Sequence, residues 1–190
     1  MTTGENTRPG DARSDQEPLD PMPWHVDVRE GVFVGDMLGV TPPVGRARWA
    51  DLPALTAHAL ARLRVDVLVA EAGRAHSELD QLDVDPRTEH LWIADGDLLV
   101  ACLRLVRRDD GTPCVDRACA RPDVRPLGLT GALVIDVVAR YGAGPLQALV
   151  RTDSLGAFLQ VGFEVTGPAR ALPGGSHTPM ARRPDAPWRE

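Results

Sequence analysis

One stretch of the sequence limits the fold more than any other, because residues 114–141 have the pattern of a strand, a tight loop and a helix. The strand would cover Cys114–Ala120, the loop is built on Arg125 and Gly128, and the helix would run to about Tyr141. Such a loop directs backbone N–H groups and the positive end of a helix dipole at one spot, which suits a phosphate or pyrophosphate. Its spacing fits neither the P-loop nor the dinucleotide-binding glycine pattern. Loops that bind no ligand also contain single glycines, so the neighbouring segments must indicate whether this loop binds a phosphate or only connects a strand to a helix.

The residues before this stretch predict a helix, a polar loop and a β-hairpin. A helix capped by Asp51 would continue to about Glu71 because apolar residues recur at helical spacing, although residues 65–69 could form a strand instead. Residues 72–89 have the pattern of a solvated loop without the glycine and terminal glutamate of an EF-hand calcium site. The loop holds four acidic residues: Glu78, Asp80, Asp83 and Asp85. Two apolar runs around Asp95-Gly96-Asp97 form the strongest hairpin signal in the chain.

The residues after the central helix alternate between short strands and short helices. We expect a strand over 146–150, a helix capped by Asp153 or Ser154 and ending near Val161, a strand over 162–165, a loop over 168–176 and a last strand over 177–181. Strands mixed with helices, with a hairpin meander first, predict an α+β (mixed α/β) fold rather than a doubly wound sheet.

The charge and cysteine content exclude several classes of function. The net charge is −6, so no basic surface is expected to bind nucleic acid. The three cysteines are odd in number and show no Cys-x-x-Cys spacing, which argues against a disulfide framework and against a metal site. The first twenty residues are polar and no apolar run approaches the roughly 20 residues that cross a bilayer. We therefore expect a cytoplasmic protein with no membrane partner.

Seven short motifs then occur in a fixed order. They are Arg64-x-x-Val67-x-Val69-x-Glu71, Glu78-Leu79-Asp80-x-x-Asp83, His90-Leu91-Trp92, Leu103-Arg104-Leu105, Arg117-x-x-x-x-Pro122-x-x-Arg125-x-x-Gly128-Leu129, Phe158-x-x-x-Gly162-Phe163 and His177-x-x-Met180. Together they resemble the ElaA-like branch of the GNAT superfamily of acyl-CoA-dependent N-acetyltransferases. The resemblance covers about residues 49–182.

The resemblance implies a GNAT-like fold, with a central, mostly antiparallel sheet that is flanked by helices and splays open beside the strand ending near Ala120. Acetyl-CoA would be the co-substrate, and its acetyl group would pass directly to an amine of a small molecule or peptide. Its pantetheine would pair with Ala118, Cys119 and Ala120. Its pyrophosphate would lie over the turn formed by Arg125, Pro126, Leu127, Gly128, Leu129 and Thr130.

The resemblance also sets the domain boundaries that we expect. Residues 46–183 would form the GNAT-like acetyltransferase domain, preceded by a disordered tail over residues 1–22 and an extension or linker over 23–45, and followed by a tail over 184–190. Three roles stay open for residues 24–40: lining the acceptor cleft, packing against the sheet, or forming a homodimer. The sequence gives no code for the acceptor.

Three residues depart from the family pattern. Thr130 stands where the family has a small residue, and its β-branched side chain would crowd the phosphate turn. Pro126 lacks an amide donor. Leu159 takes the position of the tyrosine that protonates the departing thiolate in the family, and loss of a general acid costs ~10²–10⁴-fold in the assisted step. The alternative function is therefore a catalytically impaired GNAT-fold protein that binds acyl-CoA or another protein.

Three residues are candidates for the catalytic base: Glu71, His90 and His177. Glu71 would close the first helix near the thioester, whereas His90 begins a strand and also fits a structural role. His177 follows a glycine-rich loop, and an imidazole suits proton removal from an amine. We expect Arg104 to form a surface ion pair and Cys119 to be a small buried residue rather than a nucleophile.

Overall fold

A computed structural model of the protein describes residues 42–184 and residue 186, which are organised around one sheet of eight strands. In chain order the strands are β1 (Val44–Ala47), β2 (Glu89–Asp95), β3 (Leu98–Arg107), β4 (Pro113–Ala120), β5 (Leu146–Arg151), β6 (Glu164–Val165), β7 (Arg170–Leu172) and β8 (Gly175–Arg182). The α-helices are α1 (Ala54–Arg64), α2 (Leu129–Tyr141) and α3 (Gly156–Gln160). A π-helix over Val65–Glu71 continues α1, and 3₁₀ turns cover Trp49–Asp51, Gln81–Asp83 and Pro122–Leu127.

The strand order in the sheet is β1-β2-β3-β4-β5-β8-β6, and β7 also pairs with β8. Within the described residues every pairing is antiparallel except that of β4 with β5. This parallel pair is joined only at Cys114 and Val115, which lie beside Gln147 and Ala148. The predicted α+β fold, with a central, mostly antiparallel, splayed sheet flanked by helices, is confirmed.

Helices α1 and α2 pack on opposite faces of the sheet, because successive side chains of a strand point to opposite faces. On β3, Cys102 packs in one buried cluster with Leu60 of α1. Its neighbour Leu103 packs in the main core with Leu133 of α2. The predicted hairpin corresponds to β2 and β3, and the helix expected after Gly128 corresponds to α2. These two elements frame the place where the sheet opens.

The first helix differs from the prediction at both ends. It begins at Ala54 after Pro53, with no side-chain cap, while Asp51 lies in the preceding 3₁₀ turn. Residues 65–69 do not form a strand, because the chain continues as a π-helix to Glu71. A π-helix adds residues to a helical turn and occurs frequently at functional sites.

Strand β1 was not predicted, because residues 41–45 have the composition of a linker. Val44–Ala47 nevertheless pairs with β2 along residues 90–93. Gly45 makes this possible by its lack of a side chain, since a Cβ atom there would lie 2.3 Å from the indole of Trp92. The segment expected as a loop over 168–176 likewise contains β7, which pairs with β8.

Several predictions concern residues outside the described part of the chain. They are the tail over residues 1–22, the extension over 23–41, the roles left open for residues 24–40 and most of the tail over 184–190. Among the described residues, no helix is both long and apolar enough to cross a membrane. Residues 42–184 also bring together no group of three side chains suited to holding a metal ion.

Candidate active site

A β-bulge in β4 lies where the sheet opens. Cys119 pairs with Cys102 and Asp116 pairs with Arg104, so β4 places two residues opposite one residue of β3. One of the two, Arg117, has a φ of +51°, which is uncommon for a residue other than glycine. A bulge bends its strand and increases the local twist. Beyond Val115, β4 therefore diverges from β5.

The divergence leaves a cavity of about 630 Å³ between β4 and β5. Seven of the nine residues predicted to bind the cofactor line it: Ala118, Cys119, Ala120, Arg125, Pro126, Gly128 and Thr130. The other two, Leu127 and Leu129, bury their side chains in the main core. The structure thus brings the predicted pantetheine strand and the predicted pyrophosphate turn to one cavity.

The turn before α2 has the features of an anion site. Gly128 has a φ of +65° and precedes the first residue of the helix, Leu129. The N–H of Ala132 donates to the carbonyl of Gly128 at 3.2 Å, so the amides of residues 129–131 precede the first helical hydrogen bond. Thr130 lines the cavity without filling it. Free amides at a helix N-terminus favour a phosphate group.

Arg125 of this turn is paired with Glu71, the last residue of the π-helix. One guanidinium nitrogen lies 2.6 Å from Glu71 Oε1, the other bonds Oε2, and Nε donates to the carbonyl of Ala120 at 3.2 Å. The hydrogen bond from Arg125 lowers the pKa of Glu71. A carboxylate with a lowered pKa is a weak base, so this pairing does not favour Glu71 as the group that deprotonates an amine.

His177 lines the cavity on β8. Its Nδ1 lies 3.1 Å from the carbonyl of Gly175, so Nδ1 carries the proton and Nε2 keeps its lone pair. Burial lowers the pKa of His177 below its ordinary value. The imidazole is therefore neutral at pH 7 and has the protonation state of a base.

His90 lies elsewhere, on β2, and is not among the residues that line the cavity. It is fully buried, its Nε2 donates to the carbonyl of Asp83 at 3.0 Å, and its ring packs edge-on against Trp49 at 5.1 Å. Burial lowers the pKa of His90. These contacts are those of a structural histidine.

A buried ion-pair network beside the cavity was missed. Arg64 donates to Glu78 at 2.9 Å and to Asp83 at 2.5 Å, and all three side chains are buried. Arg104 is 1% exposed and reaches Asp80 at 2.6 Å and Asp116 at 2.8 Å, with Asp83 at 2.9 Å.

Two predictions are therefore wrong: the segment 72–89 is not simply a solvated loop, and Arg104 does not form a surface pair. One signal in the sequence could have shown this. Arg104 stands alone in the otherwise apolar run Leu98–Val106. A charge in a buried strand requires a partner, and the nearest acidic cluster supplies it.

Three further residues bear on the chemistry. Leu159 packs against the main core and is not among the residues lining the cavity, whereas Phe158 is. The chain has one tyrosine, Tyr141, which is not among the residues that line the cavity. Its hydroxyl donates a hydrogen bond of 2.5 Å to Glu89. Cys119 is buried, its Sγ lies 3.6 Å from that of Cys102, and their hydrogen bond together with burial raises its pKa. Cys119 is therefore an unreactive thiol.

Comparisons with known proteins agree with the fold. No family model matches the chain. A UPF0039 protein of Mycobacterium tuberculosis is 32% identical over 142 residues, which cover 72% of this chain and 91% of that protein. Two crystal structures each superpose with a TM-score of 0.65 over 74% of this chain and 99% of theirs: an acyl-CoA N-acyltransferase from Pseudomonas aeruginosa, at 24% identity, and Escherichia coli ElaA, at 18%.

Proposed function

This chain belongs to the UPF0039 family and has the GNAT fold, and we propose that it is an N-acetyltransferase that moves an acetyl group from acetyl-CoA to an amine. One observation carries the proposal. The cavity where β4 leaves β5 is lined by the free edge of a strand, by a helix-entry turn suited to phosphate, and by a neutral histidine.

The cavity fits the parts of an acyl-CoA molecule. Residues 116–120 of β4 have no pairing with β5, so their outer edge can bond the amide groups of pantetheine as a strand would. The pyrophosphate would lie over residues 125–130, where the amides entering α2 and the guanidinium of Arg125 supply positive charge. When bound, acetyl-CoA supplies a thioester that is activated toward acyl transfer.

His177 would act as the base. Its Nε2 would take a proton from the acceptor ammonium, and the freed amine nitrogen would then form a bond to the thioester carbon while the C–S bond breaks. CoA would leave as a thiolate and take up the proton that the new amide nitrogen loses, which gives the free thiol. Holding both reactants in one cavity lowers the entropic part of the barrier. Glu71 would instead pair with the guanidinium of Arg125 and compete with the pyrophosphate for it.

No tyrosine is available in the cavity to protonate the thiolate, because the one tyrosine of the chain is bound to Glu89. A thiol titrates near pH 8.5, so a thiolate departs without an acid more easily than an alkoxide does. The acceptor would be an amine of a small molecule or peptide. The three cysteines are buried and free, which suits the reducing cytoplasm.

The lack of that tyrosine favours one alternative, an acyl-CoA-binding or protein-interaction module that no longer catalyses transfer. Titration calorimetry with acetyl-CoA, followed by a thiol-release assay over a panel of amines, separates the two. A dissociation constant tighter than ~100 µM together with release of CoA supports the transferase. The same binding with no CoA released by any amine supports the acyl-CoA-binding module. If acetyl-CoA does not bind, both the transferase and the acyl-CoA-binding module are contradicted.

A further inference from the structure

Arg117 is the residue of β4 that occupies the bulge, and it lines the cavity. Its φ of +51° places a long side chain on a backbone conformation that favours glycine. Such backbone strain persists only where the surroundings impose it, and it occurs often at ligand sites. The bulge thus places the guanidinium of Arg117, a residue of the proposed cofactor strand, at the cavity.

The guanidinium of Arg117 has few partners. Within residues 42–184 it makes one hydrogen bond, a long one of 3.4 Å from Nη2 to Asp80. Its Nε is buried and lacks an acceptor in bonding geometry, although Glu78 lies 3.2 Å away. An arginine offers five N–H donors, so most of those of Arg117 are available to a ligand.

The other two arginines that line the cavity are better satisfied. Arg125 bonds both oxygens of Glu71 and a backbone carbonyl, and Arg151 bonds both oxygens of Asp153 at 3.2 and 2.5 Å. Arg117 therefore differs from them in its unused donors.

The acidic neighbours of Arg117 are committed to other cations. Glu78 also pairs with Arg64 at 2.9 Å and with His76 at 3.1 Å. Asp80 pairs with Arg104 at 2.6 Å. A new carboxylate would thus meet a guanidinium whose own counter-ions are shared, and it would form the planar two-bond pair that arginine favours.

We propose that Arg117 binds a carboxylate of the acceptor, so that the acceptor is an amino acid rather than a simple amine. This inference rests on the proposed acetyl transfer. His177, which would take the proton, lines the same cavity as Arg117. The carboxylate and the amine of one acceptor molecule would thus both lie in this cavity.

The test compares amino acids with their carboxamides, in which a neutral group of similar size replaces the anionic carboxylate that Arg117 would bind. With the full-length protein, we expect kcat/KM to be about tenfold or more higher for the acid, since charged hydrogen bonds are stronger than neutral ones. In Arg117→Asn, whose side chain tolerates a positive φ, the acid-to-amide ratio should fall to near one. Arg117→Lys should keep part of the preference.

Two results would overturn the proposal: a ratio near one in the unaltered protein, or an equal loss for acids and amides in Arg117→Asn. Turnover of simple amines with no preference for acids would contradict the carboxylate site and would still support the proposed acetyl transfer. If no amine is turned over, the CoA-saturated protein is titrated with N-acetylamino acids and their amides. Tighter binding of the acid that Arg117→Asn removes supports the carboxylate site even then, and equal binding contradicts it.

Discussion

Both carboxylate oxygens of Glu71 accept hydrogen bonds from the guanidinium of Arg125. The pair joins the end of the π-helix to the turn before α2, at the cavity proposed to hold acyl-CoA. If the pyrophosphate of acyl-CoA binds over this turn as proposed, Arg125 would have to exchange the carboxylate for it, and Glu71 would compete with the ligand for Arg125.

We predict that Glu71→Gln binds acetyl-CoA more tightly. Both side chains are about two-fifths exposed, and such pairs contribute roughly 0.2–1 kcal/mol, so the gain should be at most about fivefold. Titration calorimetry measures it. Arg125→Gln should weaken binding instead, because it removes the cation. Loss of turnover in Glu71→Gln with an unchanged dissociation constant would mean that Glu71 is a base after all.

The second prediction concerns His177 as the base. His177→Gln should lower kcat by ~10²–10⁴-fold at pH 7 and leave the affinity for acetyl-CoA nearly unchanged. Since burial lowers the pKa of His177, kcat/KM of the unaltered protein should rise with pH along an acid limb whose midpoint lies below the ordinary histidine value of about 6.5. This acid limb should disappear in His177→Gln.

His58 supplies the control for the histidine experiment. It is exposed on α1 and is not among the residues that line the cavity. His58→Gln should keep both the rate and the acid limb. An acid limb that survives unchanged in His177→Gln would show that another group titrates.

The third prediction concerns stability. Asp83 accepts hydrogen bonds from Arg64 in the buried network. Asp83→Asn would remove one of the two carboxylates that pair with the buried guanidinium of Arg64 and leave only Glu78, which costs at most about 3–5 kcal/mol of unfolding free energy. Urea denaturation at pH 7 measures the loss. Asp66→Asn is the control, because Asp66 is 60% exposed and its pair with Arg62 at 3.5 Å should contribute about 0.5 kcal/mol or less.

The same carboxylate makes stability depend on pH. Burial, the largest single influence, would raise the pKa of Asp83, but the hydrogen bond and charge of Arg64, the backbone hydrogen bond from Asp80 and the charge of Arg104 together outweigh it, and the pKa lies below its usual value. A lowered folded-state pKa contributes stability above the unfolded value of about 3.9, and this stability is lost as the pH falls through the folded value. Unfolding free energy should therefore fall below about pH 4, and less steeply in Asp83→Asn. Equal slopes would contradict the assignment.

The fourth prediction separates the cofactor turn from backbone strain. Gly128→Ala places a Cβ atom on a φ of +65°, which costs about 1–2 kcal/mol, and it should also weaken binding of acetyl-CoA because the turn shifts. Gly96→Ala introduces similar strain at a φ of +55° in the hairpin turn, outside the cavity. It should lower stability to a similar extent without changing the affinity. Equal affinities in both variants would argue against the turn as the phosphate site.

Local patterns in the sequence predicted the elements that frame the site. The Asp-Gly turn indicated the hairpin β2–β3, and the spacing of apolar residues after Gly128 indicated α2. Each of these signals is contained in a short stretch of neighbouring residues. The bulge at Arg117 and the pairing of β1 with β2 were not predicted, since both depend on partners distant in the chain.

The candidate site shows the same division. The turn at residues 125–130 follows from local sequence and lines the cavity. Glu78 and Asp83 looked like loop residues because their partners, Arg64 and Arg104, lie 14 to 21 positions away. Which of three candidate bases faces the cavity also depends on tertiary packing, and the packing favours His177 over His90.

Amide hydrogen exchange of the full-length chain, with and without saturating CoA, tests the central claim most directly. If CoA lies in the gap between β4 and β5, peptides covering residues 116–131 should exchange more slowly in its presence. Peptides covering residues 90–93, which are paired on both sides, should not change. Unchanged exchange over residues 116–131, or equal slowing along the whole chain, would contradict a cofactor site in the splayed sheet.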